Sequence, residues 1–540
     1  MSWLRRILRA GFVPFEAGLD KLVGPVWNPL NHLGALGFFF YWIVAVSGIY
    51  LYIFFDTGTT AAYFSVEYMT HQQWYAAGIM RSLHRYASDA LVLFMVIHMA
   101  REFSLDRYRS ARWFTWVTGV PIIWLVFAAG ITGYWMVWDK LAHYVALVTS
   151  QWFDWLPIFS ESIARNFINP DFIDNRFFTL LVFMHVILPL ILLAVLWIHL
   201  QRVSRPKINP PRGLAIATFV MFVALSLVQP AMSQGPANLA EVPGTLKLDW
   251  FYLAFYPLFD IWSPGAVWGV AGVLTLLIVA LPFMPPMKRL ATAVVDLDNC
   301  NGCTRCVDDC PFAAITMVPR SDGKPYEREA VVNDKLCLSC GICAGACPTA
   351  TPYRARSRKL VSGIELPGIP IAGLRDRIEA LSEKLDGQNR VIVIGCDHGA
   401  KADTVSSASV ATVSLPCIGM LPPTLVDYIL SRGLAEGVVL SGCSEGECYF
   451  RFGIEWTEAR LAGERNPKLR TAVPRDRIAK VWVGPGGNRA LATAVKDFQA
   501  GLTPLPASKL ATEGKPPPPP RKYEKAPDEE ALEEKAGGDA

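Results

Sequence analysis

Two histidine pairs with one shared spacing constrain most strongly what this chain can fold into. His84 and His98 lie in one apolar stretch and His185 and His199 in another, and both pairs are fourteen residues apart. Fourteen steps along an α-helix rise roughly 21 Å and end about 40° from a whole number of turns, so each helix presents both imidazoles on nearly one face. We expect the two helices to pack antiparallel, with His84 meeting His185 near one membrane surface and His98 meeting His199 near the other. The pattern therefore predicts two bis-imidazole haem sites stacked across a bilayer.

The alternative is four unrelated membrane histidines that bond to backbone carbonyls. The equal spacing favours metal ligands, and ionisable side chains inside membrane spans are usually functional. Glycines repeat the same spacing in two further apolar stretches, where a missing side chain would give a porphyrin room; generic packing of small residues is the other explanation. These glycines are Gly34 and Gly48, and Gly119 and Gly133. Arg81 and Arg101 each stand three residues from a histidine, and we expect them to bind haem propionates.

The composition divides the chain into a membrane part and a soluble part. Hydrophobic residues make up 52% of the chain, and the apolar residues crowd into the first 285 positions. The net charge of +4 is too small to predict a nucleic-acid partner. All twelve cysteines lie beyond position 299 in tight clusters, which favours metal sites in a reducing compartment over disulfides.

Apolar runs long enough to cross a bilayer predict six membrane helices. They fall near 33–55, 80–100, 114–137, 177–201, 213–230 and 264–284. Lys and Arg are concentrated before the first run and after the second, fourth and sixth, whereas the segment 56–79 has none. The positive-inside rule then puts both termini and all the cysteines on the cytoplasmic side of a bacterial or archaeal membrane, with His98 and His199 nearest that side. We expect the basic segment 1–22 to be a helix on the membrane surface and not a signal peptide.

Over roughly residues 30–285, the histidines, glycines and two arginines resemble the cytochrome b of quinol-oxidising cytochrome bc complexes. The segment KLDWFYLAFYPLFDIWSP, 247–264, is similar to that family's Pro-Glu-Trp-Tyr stretch beside the outer quinol site. Here the sequence is Leu-Asp-Trp-Phe, so the acid is kept as the shorter Asp249 while the Pro and Tyr are lost. The resemblance implies two haem b groups, quinone as a substrate, and Asp249 as a catalytic, proton-handling carboxylate of the outer quinone site. From the residues alone, Asp249 could equally be an interfacial carboxylate at a helix start.

Two cysteine runs follow with the spacing C-x2-C-x2-C-x3-C-P, which is that of two-cluster bacterial ferredoxins. The first run has Cys300, Cys303, Cys306 and Cys310, and the second has Cys337, Cys340, Cys343 and Cys347. Three closely spaced thiolates can bind three corners of a cubane, and the fourth ligand comes from the other run. We therefore expect one 4Fe-4S cluster on Cys300, Cys303, Cys306 and Cys347, and a second on Cys310, Cys337, Cys340 and Cys343. Structural zinc is the alternative for such thiols.

The region after these runs alternates short apolar runs with helical stretches, which predicts an open, mostly parallel α/β sheet. Three of the runs end in cysteine, and ligands collect at the carboxyl ends of such strands. The cysteines expected at this edge are Cys396, Cys417, Cys443 and Cys448. From spacing alone, a 2Fe-2S cluster, structural zinc and a redox disulfide are equally open.

A longer stretch of this region narrows that choice by resemblance. The segment LPCIGMLPPTLVDYILSRGLAEGVVLSGCSEGECYFRFG is similar to the delta, iron–sulfur subunit of methyl-viologen-reducing hydrogenases. The resemblance implies a 2Fe-2S cluster and electron transfer between a dehydrogenase and a flavoprotein. That family often has a denser cysteine group at its first position, where only Cys396 stands here.

These features predict four regions. They are an all-α, six-span membrane haem bundle at 1–290, a small α+β ferredoxin-like domain at 291–357, an open parallel-sheet α/β domain at 358–504 and a disordered, Pro-rich and charged tail at 505–540. The resemblances imply a membrane-bound electron-transfer subunit that connects the quinone pool with a cytosolic flavoprotein, a dehydrogenase or heterodisulfide-reductase-like subunits. They also allow a homodimer through the cytochrome b-like part. One alternative is an anchor that serves a hydrogenase or formate dehydrogenase in particular, and a distant one is a transporter or scaffold with zinc-stabilised domains.

Overall fold

The computed structural model describes residues 2–158, 160–168, 173, 175–203, 206–240, 245–285, 291–353 and 362–502. The chain divides into two compact units, Met1–Lys288 and Arg289–Ala540. The segment predicted to be a disordered tail, 505–540, lies outside the described residues, as does the predicted domain boundary at 357.

The first unit is built from helices. They are α1 Ser2–Val23, α2 Leu33–Phe54, α3 Ala61–His71, α4 Ile79–Ser104, α5 Trp113–Val137, α6 Lys140–Asp154, α7 Asn175–Leu200, α8 Arg212–Val228 and α9 Pro264–Ala280. Side-chain caps fix two of the starts, since Asp139 accepts a hydrogen bond from the Ala142 amide at 2.8 Å and Ser263 accepts one from the Ala266 amide at 3.3 Å.

Four helical stretches of the described residues are long and apolar enough to cross a membrane. They are Pro29–Phe54, Ser110–Val137, Asn175–Leu200 and Pro264–Phe283. Helix α8 is apolar but short, at 17 residues. Helix α4 has 26 residues, but Arg81, Arg85, Asp89 and Arg101 all lie within it and lower its hydropathy. The chain is therefore a membrane protein with several membrane-capable helices, and the count of six spans stays a prediction.

Each histidine helix packs along a helix that carries paired glycines. Helix α4 lies against α2, and α7 lies against α5. Leu36 and Phe40 of α2 and Leu83 of α4 are buried in one apolar cluster, to which Phe222 of α8 also belongs. The helix pairing therefore brings each glycine pair alongside one histidine pair, in keeping with their equal spacings.

The second unit begins with two small antiparallel pairs of strands. Strand β1 Val294–Val295 pairs with β4 Ile364–Glu365, and β2 Ile315–Pro319 pairs with β3 Arg328–Val332. Each cysteine run leads into a five-residue helix, α10 Arg305–Asp309 in the first and α11 Ile342–Ala346 in the second. Because β4 comes after position 357, the chain returns to β1 beyond the predicted end of the ferredoxin-like domain.

A four-stranded parallel sheet follows in the same unit. Its strands are β5 Val391–Cys396, β6 Val410–Leu415, β7 Gly437–Gly442 and β8 Ile478–Trp482, in the spatial order β6-β5-β7-β8. Its helices are α12 Ile371–Ser382, α13 Pro423–Ser431, α14 Gly453–Ala462 and α15 Asn488–Gly501. Every residue of β5 and β7 is buried, as expected for central strands that are covered on both faces. The runs predicted to end in cysteine are thus neighbouring parallel strands.

We predict that Gly302→Ala destabilises the second unit more than Gly323→Ala. Both glycines have a positive φ, +67° and +74°, so both alanines carry a backbone penalty of about 1–2 kcal/mol. Only at Gly302 would the added Cβ also stand 2.4 Å from a backbone oxygen, that of Arg328, whereas Gly323 has nothing within 4 Å. Heating the full chain while following the exposure of its cysteine thiols gives the two melting temperatures; equal values would refute the prediction.

Candidate metal centres

The four histidines form two facing pairs in the helical unit. The ring centroids of His84 and His185 are 6.2 Å apart, with 59° between the ring planes. Two imidazoles on opposite sides of one metal, with metal–nitrogen bonds of about 2.0 Å, have centroids about 6 Å apart. His98 lies within electrostatic range of His199. The spacing of the first pair therefore fits a haem iron between the rings.

The predicted antiparallel packing of the histidine helices is wrong. Because His84 faces His185 while His98 neighbours His199, α4 and α7 run in the same direction. The reason is that one membrane-capable helix, α5, lies between them in the chain and carries it back across. The two histidine pairings are those expected from the sequence.

Hydrogen bonds decide which ring nitrogen is available to a metal. Thr132 Oγ1 lies 3.1 Å from His185 Nδ1, and Thr118 Oγ1 lies 3.1 Å from His199 Nδ1. Each threonine donates its own proton to a backbone carbonyl one turn earlier, at 2.9 Å for Thr132 and 2.8 Å for Thr118. The hydroxyl oxygen therefore accepts from the ring, so Nδ1 carries the proton. This tautomer leaves the Nε2 lone pair for a metal.

The ring of His84 is held in the same way. Its Nδ1 lies 2.9 Å from the Val44 carbonyl oxygen and 3.2 Å from Ser47 Oγ, and a carbonyl can only accept. Sequence reasoning missed these hydroxyl residues, although the signal was present. Each immediately precedes one of the paired glycines, at Ser47–Gly48, Thr118–Gly119 and Thr132–Gly133.

Each of the four predicted glycines lies against one histidine ring. A Cβ built on Gly48 would stand 3.0 Å from His84 Cε1, and one on Gly133 would stand 3.0 Å from His185 Cε1. The other two contacts are looser, with 3.8 Å for Gly34 to His98 and 3.5 Å for Gly119 to His199. The glycines therefore make room for the imidazoles, and the room expected for a porphyrin stays a prediction.

The two arginines expected to bind propionates have protein partners. Arg81 donates to Ser233 Oγ at 2.8 Å and lies 3.7 Å from a Glu67 carboxylate oxygen. The buried Arg101 forms an ion pair at 3.0 Å with Glu16 of α1. The binding of haem propionates by Arg81 and Arg101 stays a prediction. Arg112 lies within electrostatic range of His199, which sequence reasoning did not foresee.

Asp249 lies in a buried network of charged and polar side chains. It is 7% exposed, it accepts a hydrogen bond from the Tyr134 hydroxyl, and Arg85 Nη2 lies 3.3 Å from it. It also accepts the Phe251 amide at 2.8 Å, as a carboxylate at the start of a turn does. Asp249 thus caps a turn and is buried, unlike the interfacial carboxylate at a helix start that the sequence also allowed, and its catalytic role stays a prediction.

The network extends to a second carboxylate that the sequence analysis overlooked. Asp89 is 8% exposed, and its Oδ2 accepts from Arg85 Nε at 3.1 Å. Within the described residues, Asp89 Oδ1 has no hydrogen-bond partner. The signal was an Arg and an Asp four residues apart, in the interior of an otherwise apolar stretch.

The cysteine group that combines the second run with one thiol of the first run lines a cavity in the second unit. Its wall contains Cys310, Cys337, Cys340 and Cys343, and the rest of the lining is apolar. This is the predicted set of three thiols from one run and one from the other. Burial, followed by the charges of neighbouring cysteines, raises the pKa of the Cys343 thiol. A cationic metal centre is what offsets such burial and keeps thiols as thiolates.

The second cysteine group is gathered around Cys306. Burial, followed by the charges of Cys303, Cys347 and Cys300, raises the pKa of the Cys306 thiol to about 12. The other three thiols therefore lie within electrostatic range of Cys306, again with one thiol contributed by the other run. Cys303 is exposed, so this group lies at the surface of its unit.

The third group lies at the carboxyl edge of the parallel sheet. Cys396 ends β5, Cys417 follows β6, and Cys443 and Cys448 follow β7. Cys396 contacts Cys443, and Cys417 contacts Cys448, through hydrogen bonds. The pKa of the Cys448 thiol is raised to about 12, chiefly by the hydrogen bond with Cys417. The hydrogen bond with Cys443 opposes this rise, and burial adds to it. Among the described residues, no three histidine, cysteine or carboxylate side chains are drawn together around a single metal-ion position.

Paired imidazoles in a membrane bundle and clustered thiols in a second unit define a membrane-bound electron-transfer protein. Three family models match the chain and confirm the resemblances found in the sequence. "Cytochrome b/b6/petB" matches residues 19–205, "4Fe-4S dicluster domain" matches 299–351, and "Methyl-viologen-reducing hydrogenase, delta subunit" matches 389–505. The matches imply b-type haem and iron–sulfur clusters as cofactors.

Individual relatives agree with the first of these matches. The chain is 27% identical over 197 residues to cytochrome b6 of Porphyra purpurea, covering 36% of this chain and 89% of that protein. It is 23% identical to cytochrome b of Cyanidium caldarium, covering 48% of this chain and 72% of that protein. It is 25% identical to cytochrome b/c1 of Bradyrhizobium diazoefficiens, covering 54% of this chain and 46% of that protein. A solved structure, "Hyperthermophilic respiratory Complex III", is 20% identical with a TM-score of 0.40, covering 47% of this chain and 75% of that chain.

We predict that His98→Ala and His84→Ala each remove about half of the b-type absorbance, because each substitution leaves one histidine pair intact. Redox difference spectra of the purified full chain measure this. Loss of all absorbance in both variants would mean that the two pairs are not separate sites, and full absorbance in either would exclude that histidine as a ligand.

We predict that Gly48→Ala lowers haem retention whereas Gly34→Ala does not. The first added methyl group would stand 3.0 Å from a histidine ring that has to move, and the second would make an ordinary contact at 3.8 Å. Haem per protein after purification is the measurement. If the glycines instead make room for a porphyrin, both variants should lose haem alike.

Proposed function

We propose that this chain is the quinone-reactive, electron-transfer subunit of a respiratory oxidoreductase. It connects the quinone pool with a cytosolic flavoprotein or dehydrogenase. The observation that supports this most directly is the facing of His84 and His185 across 6.2 Å in a chain whose twelve cysteines fall into two ferredoxin-type runs and one group at a sheet edge. When bound, haem b and iron–sulfur clusters hold and release electrons one at a time, which is how such a chain conducts.

The membrane part would cross the bilayer six times, with α4 and α8 added to the four stretches that meet the criteria of length and hydropathy. His84 with His185 and His98 with His199 would each hold one haem b through Nε2. The hydroxyls of Thr118 and Thr132 orient two of these rings and keep their Nδ1 protons in place, which strengthens the imidazoles as ligands.

The soluble part would hold three iron–sulfur clusters on the cytoplasmic side. Two are 4Fe-4S clusters on the ligand sets expected from the sequence. The third is a 2Fe-2S cluster on Cys396, Cys417, Cys443 and Cys448. The match of 389–505 to a hydrogenase delta subunit supports the last assignment and a partner that carries out two-electron chemistry.

Quinone chemistry would take place beside Asp249. Reduction of a quinone to a quinol takes up two electrons and two protons, so the site needs a group that exchanges protons. The buried Asp249 carboxylate, which shares Arg85 with Asp89, is such a group. If this site lies on the outer side, electron transfer to it from the cytosol moves charge across the membrane, at about 2.3 kcal/mol per charge per 100 mV.

We predict that dithionite-reduced full chain is reoxidised by a short-chain quinone, and that Asp249→Asn slows this reaction about tenfold or more. Asp260→Asn is the matched control, since its carboxylate lies in the same segment but is exposed. Stopped-flow recovery of the oxidised haem spectrum gives the rates. Equal rates in both variants would move the quinone site elsewhere, and no reoxidation by quinone would refute the proposed function.

A further inference from the structure

Arg460 is a buried charge that none of the sites above uses. It lies in α14, its residue exposure is 0%, and it is the largest fully buried side chain of the described residues. Moving a charged group out of water costs several kcal/mol unless it is paired and hydrogen-bonded. A guanidinium kept at this position therefore calls for an explanation in terms of its neighbours.

The acceptors of Arg460 all stand beside cysteines. Nη1 donates to the Gly419 carbonyl at 2.8 Å, and Nη2 donates to the Ile342 carbonyl at 3.3 Å. Nη2 also forms an ion pair with Asp309. Gly419 comes two residues after Cys417, Ile342 lies between Cys340 and Cys343, and Asp309 directly precedes Cys310. One guanidinium thus binds the loops of two different cysteine groups.

Glycines let those loops come into backbone contact around Arg460. A Cβ on Gly345 would stand 2.3 Å from the Gly419 carbonyl oxygen, and one on Gly453 would stand 2.3 Å from Cys417 Sγ. No larger residue fits at either position without movement of the backbone or the thiol. Cys340 consequently lies within electrostatic range of Cys417.

The carboxylate that pairs with Arg460 is shared with a second positive charge. Asp309 also pairs with Arg465, so two guanidiniums share one carboxylate. Within the described residues, Arg460 Nε has no hydrogen-bond partner, although it is buried. A buried N–H without an acceptor is costly, and the sulfur atoms of a neighbouring cluster are acceptors of the kind that such a donor needs. Cys417 is near enough to interact electrostatically with Arg460.

We propose that Arg460 is a positioning residue shared by two iron–sulfur centres, the one on Cys310, Cys337, Cys340 and Cys343 and the one on Cys396, Cys417, Cys443 and Cys448. It fixes the separation of their loops, and its positive charge favours the reduced state of both centres, so that it raises both reduction potentials together. Hydrogen bonds and nearby charge are among the main determinants of cluster potentials. This inference rests on the ligand sets of the proposed function.

The test is a potentiometric titration of the full chain, followed by electron paramagnetic resonance. Arg460→Gln should shift both midpoint potentials to more negative values. Asp309→Asn, which removes the compensating charge with little change of shape, should shift both to more positive values. Arg465→Gln is the matched control, because it also removes a guanidinium that pairs with Asp309. The Arg465 side chain is 27% exposed, so water screens its charge and the shift in midpoint potential should be smaller.

Opposite shifts in the glutamine and asparagine variants support the proposal, because a purely structural role predicts no such sign change. Unchanged potentials in Arg460→Gln, or an equal shift in Arg465→Gln, would overturn it. If Arg460→Gln loses its iron, Asp309→Asn decides alone, and unchanged or more negative potentials there overturn the proposal. A wild-type chain without any iron–sulfur signal would instead refute the ligand sets of the proposed function.

Discussion

The helical unit depends on one contact, the edge of an imidazole ring against a glycine of the neighbouring helix. A Cβ added at Gly48 or Gly133 would stand 3.0 Å from the ring, so that even a methyl group would require the ring to move. The residue just before each glycine is Ser47 or Thr132, and its hydroxyl lies within hydrogen-bond distance of the same ring. A two-residue unit, hydroxyl then glycine, thus contacts the rings of His84 and His185, and the Val44 carbonyl fixes the tautomer of His84. These contacts orient the two rings and thereby determine which nitrogen each ring offers to a metal.

In the second unit, many cysteine thiols are buried, and a buried thiol tends to stay protonated. Burial and the charges of neighbouring cysteines raise the pKa of the Cys306 thiol to about 12, and the hydrogen bond with Cys417, followed by burial, raises the pKa of the Cys448 thiol to about 12, so the protein alone favours the protonated state. Metal centres supply the positive charge that makes thiolates stable there. Arg460 adds a fixed positive charge where two of the cysteine groups meet, at the cost of desolvating a guanidinium.

Much of this arrangement could be predicted from spacing. Equal intervals of histidine and glycine predicted the facing pairs, and the ferredoxin spacing predicted the exchange of one thiol between runs. The direction of α7 relative to α4 was mistaken, because the number of crossings between them was not considered. Arg85, Asp89 and Tyr134 were missed although Arg85 and Asp89 stand four residues apart in an apolar stretch, because their shared partner Asp249 is distant in sequence, 115 residues after Tyr134. Arg460 could not have been found, since its partners are distant in sequence, up to 151 residues away.

The central claim is that paired imidazoles and clustered thiols in this one chain bind redox cofactors. Its most direct test is a cofactor inventory of the purified full chain, which combines the pyridine haemochrome spectrum with assays for non-haem iron, acid-labile sulfide and zinc. The account predicts two b-type haems per chain, with non-haem iron and sulfide in nearly equal amounts and no stoichiometric zinc. A chain that contains zinc at its cysteines and no haem would contradict it.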